Sequence, residues 1–219
     1  EMFTLGPIDL QFHAGEITFL VGGNGSGKTT LAKLLVGLYP PEEGKIILNG
    51  AIVDATNRDY YRQFFTTIFS DFHLFDQLLE TNHGKDLDQR GNELLAKLHL
   101  QNKVKVQDGA FTTLTLSQGQ RKRLALVVAY LENRPFLVFD EWAADQDPVF
   151  KEIFYHELLP ELRAMGKTIL VISHDDRYFH LADRLIRMEN GRLTHANSKP
   201  SKTEVDTTIS PLLTANSVA

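Results

Sequence analysis

Three stretches of the chain are apolar almost without interruption: Phe19-Leu20-Val21, Phe136-Leu137-Val138-Phe139, and residues 168–173. Runs of this kind predict strands of a parallel sheet that is covered on both faces. Residues 3–12 instead alternate apolar with polar, which predicts an edge strand. Helical spacing fills the intervals. Leu31, Leu34, Leu35 and Leu38 fall at i, i+3, i+4 and i+7 and predict a core-facing helix over 30–38, stopped by Pro40-Pro41. The same spacing recurs at Leu124, Val127, Val128 and Leu131, and helical periodicity returns over 93–100. Asp147-Pro148 reads as an N-cap with proline at the first helical position, opening a helix to about Ala164 that Pro160 kinks. Short strands are expected at 45–48, before an Asn49-Gly50 hairpin, and at 183–188, before Asn190-Gly191.

This order predicts an α/β domain whose nucleotide-binding core, residues 1–69 and 118–195, carries an antiparallel β layer. Residues 70–117 form a small, mostly helical subdomain. After His195 the composition shifts to Ser, Thr, Lys, Pro and Asn, so 196–219 is expected to be a disordered tail. The 219 residues, 42% hydrophobic and 23% charged, suit one such domain. A net charge of −5 without a long basic stripe argues against nucleic acid as a partner. The densest basic cluster, Arg121-Lys122-Arg123, reads as a solvated helix face. Cysteine is absent, which removes disulfides, thiolate metal sites and a cysteine nucleophile. The longest apolar run, 124–131, falls well short of the ~20 residues of a membrane-spanning helix. Because position 1 is Glu and the alternation is already under way at Phe3, the sequence is expected to be cut from a longer protein.

Chemistry concentrates first at Gly22, Gly23, Asn24, Gly25, Ser26, Gly27, Lys28 and Thr29, a full match to G-x-x-x-x-G-K-[ST] between an expected strand and an expected helix. Glycines let successive N–H groups turn toward one centre, and the helix aims its positive end there. Lys28 adds a charge for the β/γ-phosphates, Thr29 offers a hydroxyl to Mg²⁺, and Thr30 continues the phosphate-lining turn. The second motif is Leu116-Ser117-Gln118-Gly119-Gln120 at the start of a helix, where Ser117 and Gln120 also make a capping box. The third is Asp140-Glu141 at the end of an apolar run, and the fourth is His174 at the end of another.

Together these resemble the ATP-binding cassette family, with 116–120 similar to its LSGGQ signature except that Gln118 replaces the first glycine. The resemblance covers about residues 3–195. It implies a P-loop NTPase core of RecA-like, mostly parallel sheet, and a head-to-tail homodimer that sandwiches two ATP molecules. In that dimer Ser117, Gly119 and Gln120 would act on the nucleotide of the other subunit. Asp140 would hold Mg²⁺ with Thr29, Glu141 would be the general base, and His174 would sense the γ-phosphate. Residues 144–147 align with the loop that contacts the other subunit, Asp147 at its aspartate. Residues 116–131 and 140–148 resemble the branch that exports cyclic or modified peptides and siderophore peptides. That branch implies a transmembrane partner domain upstream in the chain and a place on the cytoplasmic face of the bacterial inner membrane. Two departures accompany the match. Ser70 stands where the family has a glutamine that reaches Mg²⁺, leaving a water, Asp71 or a different coupling to substitute; and the adenine-stacking aromatic is expected upstream of Glu1. A soluble cassette acting in translation or on DNA, and a cassette that binds without hydrolysing, are the alternatives.

Overall fold

The computed structural model describes residues 3–78, 85–198 and 213–216. In chain order the elements are β1 (Asp9–Phe12), β2 (Ile17–Val21), α1 (Lys28–Leu35), β3 (Lys45–Leu48), β4 (Ala51–Val53), α2 (Arg58–Arg62), β5 (Phe65–Ile68), α3 (Lys85–Lys97), β6 (Val106–Gln107), β7 (Ala110–Phe111), α4 (Gln118–Glu132), β8 (Phe136–Asp140), α5 (Pro148–Ile153), α6 (Leu159–Ala164), β9 (Thr168–Ile172), β10 (Arg184–Glu189), β11 (Arg192–Ser198) and β12 (Leu213–Asn216).

The central sheet has the order β11-β10-β2-β9-β8-β5, parallel throughout except for β11. Its inner strands are buried at every position because each alternates between two cores. Phe19, Leu137, Phe139, Ile169 and Val171 face a core shared with α4 and the helices after β8. Leu20, Val138, Leu170 and Ile172 face a second core, built with α1 and the antiparallel layer. A residue period of two thus produces apolar runs without polar interruption. All the parallel strands end on one edge, and the loops leaving that edge carry the polar residues singled out in the sequence.

Several boundaries differ from the sequence expectation, each for a physical reason. Helix α1 stops at Leu35, before the prolines, because Gly37 adopts φ +78° and the N–H groups of Gly37 and Leu38 close onto the carbonyls of Leu34 and Lys33. Leu38 consequently lies past the helix and is exposed rather than core. The helix opened by Asp147-Pro148 is not one regular helix. It is interrupted by a π-helical segment, Phe154–Leu158, between α5 and α6, ending two residues before Pro160, whose missing N–H frees the carbonyl a regular helix would have used. The first strand is shorter than expected, starting at Asp9. Between β5 and α4 the described residues form one helix, α3, and a hairpin of β6 and β7 turned by Asp108-Gly109 at φ +54° and +72°. The expected disorder of 196–219 is corrected at two places. Strand β11 runs on to Ser198, and β12 occupies the slot between β1 and β3, pairing antiparallel with both. Residues 199–212 and 217–219 of that segment lie outside the described residues.

Candidate functional site

The loop between β2 and α1 folds as its glycines require. Gly22 has φ +153°, and a Cβ there would meet the backbone oxygen of Met188 on β10 at 2.1 Å, so no side chain fits. Gly25 and Gly27 are also at positive φ, Gly27 as the N-cap of α1. Asn24 and Thr30 are exposed beside them. Lys28, buried at the first turn of α1, donates from Nζ to the carbonyls of Gly22 and Gly23, both at 2.9 Å. An ammonium has three donors, so one is left for an incoming anion. Burial lowers the pKa of Lys28 while Glu141 and Asp140 act to raise it. Ser26 Oγ is buried in the same loop with no hydrogen-bond partner among the described residues.

Facing this loop, Asp140 ends β8 and is almost fully buried, accepting a hydrogen bond from Thr29 Oγ1 at 2.9 Å. Burial pushes its carboxyl pKa up, the Thr29 bond pulls it down, and the charges of Glu141 and Asp71 raise it further. Next to it Glu141 adopts φ +50°, a left-handed conformation uncommon for a residue with a Cβ. Its N–H donates to Ile172 at the end of β9. Its carboxylate Oε1 lies 2.9 Å from Nε2 of His174, which Ser173 separates from the end of β9, and both side chains are about 40% exposed. Since β8 and β9 are neighbours in parallel register, the two side chains meet by topology alone. The conformation of the loop after β9 is set by Ser173, whose Oγ bonds Tyr155 Oη at 3.2 Å and accepts from the Asp175 N–H at 3.1 Å.

Lys28, Thr29, Asp140, Glu141 and His174 are therefore gathered at one edge of the sheet. Ser70 is exposed in the turn after β5. Its neighbour Asp71 forms an ion pair with Lys33 of α1 at 3.7 Å. Ser117, Gly119 and Gln120 lie elsewhere. Ser117 caps α4, with Oγ accepting from the Gln120 N–H and Gln120 Oε1 accepting from the Ser117 N–H. Among the described residues no hydrogen bond or ion pair joins these three to the loop 22–29. The signature segment touches residues 145–146 instead: Gln118 Nε2 donates to Asp145 at 3.2 Å, and Gln146 Nε2 donates to the Gly119 carbonyl at 3.0 Å. Asp147 caps α5 through the Phe150 N–H and pairs with Arg123.

The basic cluster 121–123 departs from its sequence reading as a solvated face. Lys122 is 1% exposed and bonds Asp145 and the Glu141 carbonyl, while Arg123 lies over the Phe150 ring at 3.6 Å. Leu126 and Ala129, at i+4 and i+7 from Lys122, are fully buried, and that spacing was the signal that Lys122 points inward.

The site has the donors for a hard divalent cation. Thr29 and Asp140 offer two oxygens, and no group of three or more His, Cys, Asp or Glu suited to a metal occurs among the described residues. Mg²⁺ is bound in this way, by one or two protein oxygens, with phosphate oxygens and water completing its octahedron.

Comparison with known proteins agrees with this geometry. Residues 5–144 match the family model described as ABC transporter. The chain is 55% identical over 192 residues to the ATP-binding protein SyrD of Pseudomonas syringae pv. syringae, covering 86% of this chain and 34% of that one. It is 34% identical over 208 residues to an ATP-dependent lipid A-core flippase of Ralstonia nicotianae, covering 89% and 35%. The chain thus spans about a third of the length of these relatives. A dimeric bacterial ABC transporter cassette superposes with TM-score 0.75 at 22% identity over 89% of this chain and 90% of that one. A bacterial Atm1-family ABC exporter with ATP bound gives 0.71 at 24% identity over 89% and 36%.

Proposed function

The chain belongs to the ABC transporter family, as an ATP-binding ATPase domain of it, and from that membership we propose that it powers export of a peptide-like compound by a bacterial exporter. Its position would be the cytoplasmic face of the inner membrane, joined to a transmembrane domain of the same transporter. The similarity to SyrD, and beyond it to a flippase, supports the exporter reading. The peptide-like cargo rests on the resemblance of 116–131 and 140–148 to the peptide-exporting branch. The observation that carries hydrolysis is the Glu141–His174 pair at the ends of adjacent strands, beside the phosphate loop.

ATP enters with its β/γ-phosphates in the loop formed by Gly22, Gly23, Asn24, Gly25, Ser26 and Gly27, with Thr30 at the outer turn. The free donor of Lys28 turns to the phosphates. Thr29 Oγ1 and Asp140 would hold Mg²⁺, which neutralises charge on the transferring group. Ser70 or Asp71, from the segment after β5, would reach that metal directly or through water. Glu141 accepts the proton of the attacking water, and His174 keeps the Glu141 carboxylate oriented and meets the γ-phosphate. Ser117, Gly119 and Gln120, at the N-terminus of α4, close over the ATP of a second copy. There the helix dipole and the glycine N–H face anionic oxygens. ATP binding then closes a homodimer, and phosphate release reopens it.

Steady phosphate release from the purified 219-residue chain with Mg-ATP tests the reading. Glu141→Gln is expected to bind ATP, to lose release by at least about 100-fold, and to elute as a dimer in Mg-ATP. Equal release by both proteins, or a monomer throughout, contradicts it.

A further inference from the structure

We propose that Lys122 is a positioning residue for Glu141, fixing the base from within the helix that carries the signature; the inference rests on the ATPase reading above. Burying an ammonium is costly unless its donors are satisfied, and Lys122 is buried on the inner face of α4. Its Nζ lies 2.6 Å from Asp145 Oδ2 and donates to the Glu141 carbonyl at 2.8 Å. Its own carbonyl accepts from Trp142 Nε1 at 2.9 Å, so Lys122 grips the residue after the base as well.

The consequence follows from the backbone at Glu141. A residue with a Cβ does not stay at φ +50° unless its surroundings hold it there. Here β9 holds the N–H through Ile172, and the carbonyl is held by Lys122 together with a longer bond of 3.2 Å from the Ala144 N–H. The Lys122 bond is the shorter of the two and is charge-assisted. Without it the peptide following Glu141 is free to turn, and the carboxylate leaves its alignment with His174. Because Ser117 caps α4, Lys122 also makes the signature and the base of one chain a single body. The base serves the ATP on its own chain and the signature serves the ATP of a second copy, so Lys122 joins the two sites of the dimer mechanically.

The test compares phosphate release by the 219-residue chain with that of Lys122→Met, Lys122→Arg and the double variant Lys122→Met with Asp145→Asn. Rates are normalised to ATP-binding stoichiometry, so that loss of folded protein is not counted as loss of turnover. Lys122→Met keeps the length and packing of the side chain and removes the donor. It is expected to lower kcat by about tenfold or more with KM for ATP unchanged, as loss of alignment at the reacting centre does. Lys122→Arg is expected to recover kcat to within about threefold of the parent. If Lys122→Met does not fold, the double variant, which leaves no unpaired charge, carries the same expectation. A kcat within about twofold of the parent in either folded variant, or an Arg variant as slow as the Met variant, overturns the proposal. A parent that hydrolyses while Lys122→Met matches it overturns this inference alone. A parent without phosphate release overturns the ATPase reading and the inference together.

Discussion

His174 and Glu141 are held at 2.9 Å by two strands that end side by side, and neither is buried. Their pairing is therefore a matter of backbone placement rather than of a closed pocket. His174→Ala leaves the phosphate loop and Lys28 intact while releasing the carboxylate. It is expected to lower kcat by about 100-fold with little change in KM, measured as steady phosphate release. These two residues were legible in the sequence because each follows an apolar run, and a polar residue just after a buried strand must lie on the strand-end edge. Lys122 reads as solvated although its spacing to Leu126 and Ala129 points inward. A lysine on a helix defaults to solvent, and its partners, Asp145 and the Glu141 carbonyl, come from a loop whose path no local pattern specifies. Ser70 stands between these cases. Its position after β5 was readable, while the segment's charged contact with the helix after the phosphate loop, Asp71 to Lys33, was not.

Helix α5 shows how an element's stability is tied to the site. Asp147 caps it through the Phe150 N–H, and that bond, with the Arg123 guanidinium beside it, holds the Asp147 carboxyl below the ordinary aspartate pKa. A carboxyl whose folded pKa is depressed contributes stability above its unfolded pKa, and loses it as pH falls through the folded value. Asp147→Ala is therefore expected to cost about 1 kcal/mol at pH 7 in denaturant unfolding. The gap to the parent should hold down to about pH 4 and close below it. A gap unchanged at low pH contradicts the assignment. The cap was readable from Asp147-Pro148 alone. The π-helical segment before Pro160 was not, since a proline in a helical pattern announces an interruption without saying which irregular turn absorbs it. The end of α1 was likewise set by Gly37 rather than by the prolines, because a glycine able to take φ +78° ends a helix through its own hydrogen bonds.

At the scale of the molecule, the alternation of strand and helix and the doubly buried sheet were evident from period alone. The slot filled by β12 was not, because Leu213–Asn216 pairs with strands far away in the sequence and carries no periodic signal of its own. The arrangement of the site is the larger consequence. One chain gathers the phosphate loop, Asp140, Glu141 and His174, yet its signature residues are tied to its own 145–146 segment and not to its own loop. On the proposed reading a complete site needs two chains. Mixing two inactive variants tests this most directly. Lys28→Ala disables the loop, and Ser117→Arg disables the signature. If the halves act across a dimer, each variant alone is dead at both sites, while the mixed dimer rebuilds one intact site. Equal mixing of the two is then expected to restore phosphate release to about a quarter of the parent's, since half the dimers are mixed and each has one working site of two. A mixture that stays at the level of the separate variants, while the parent turns over, contradicts a site shared between chains.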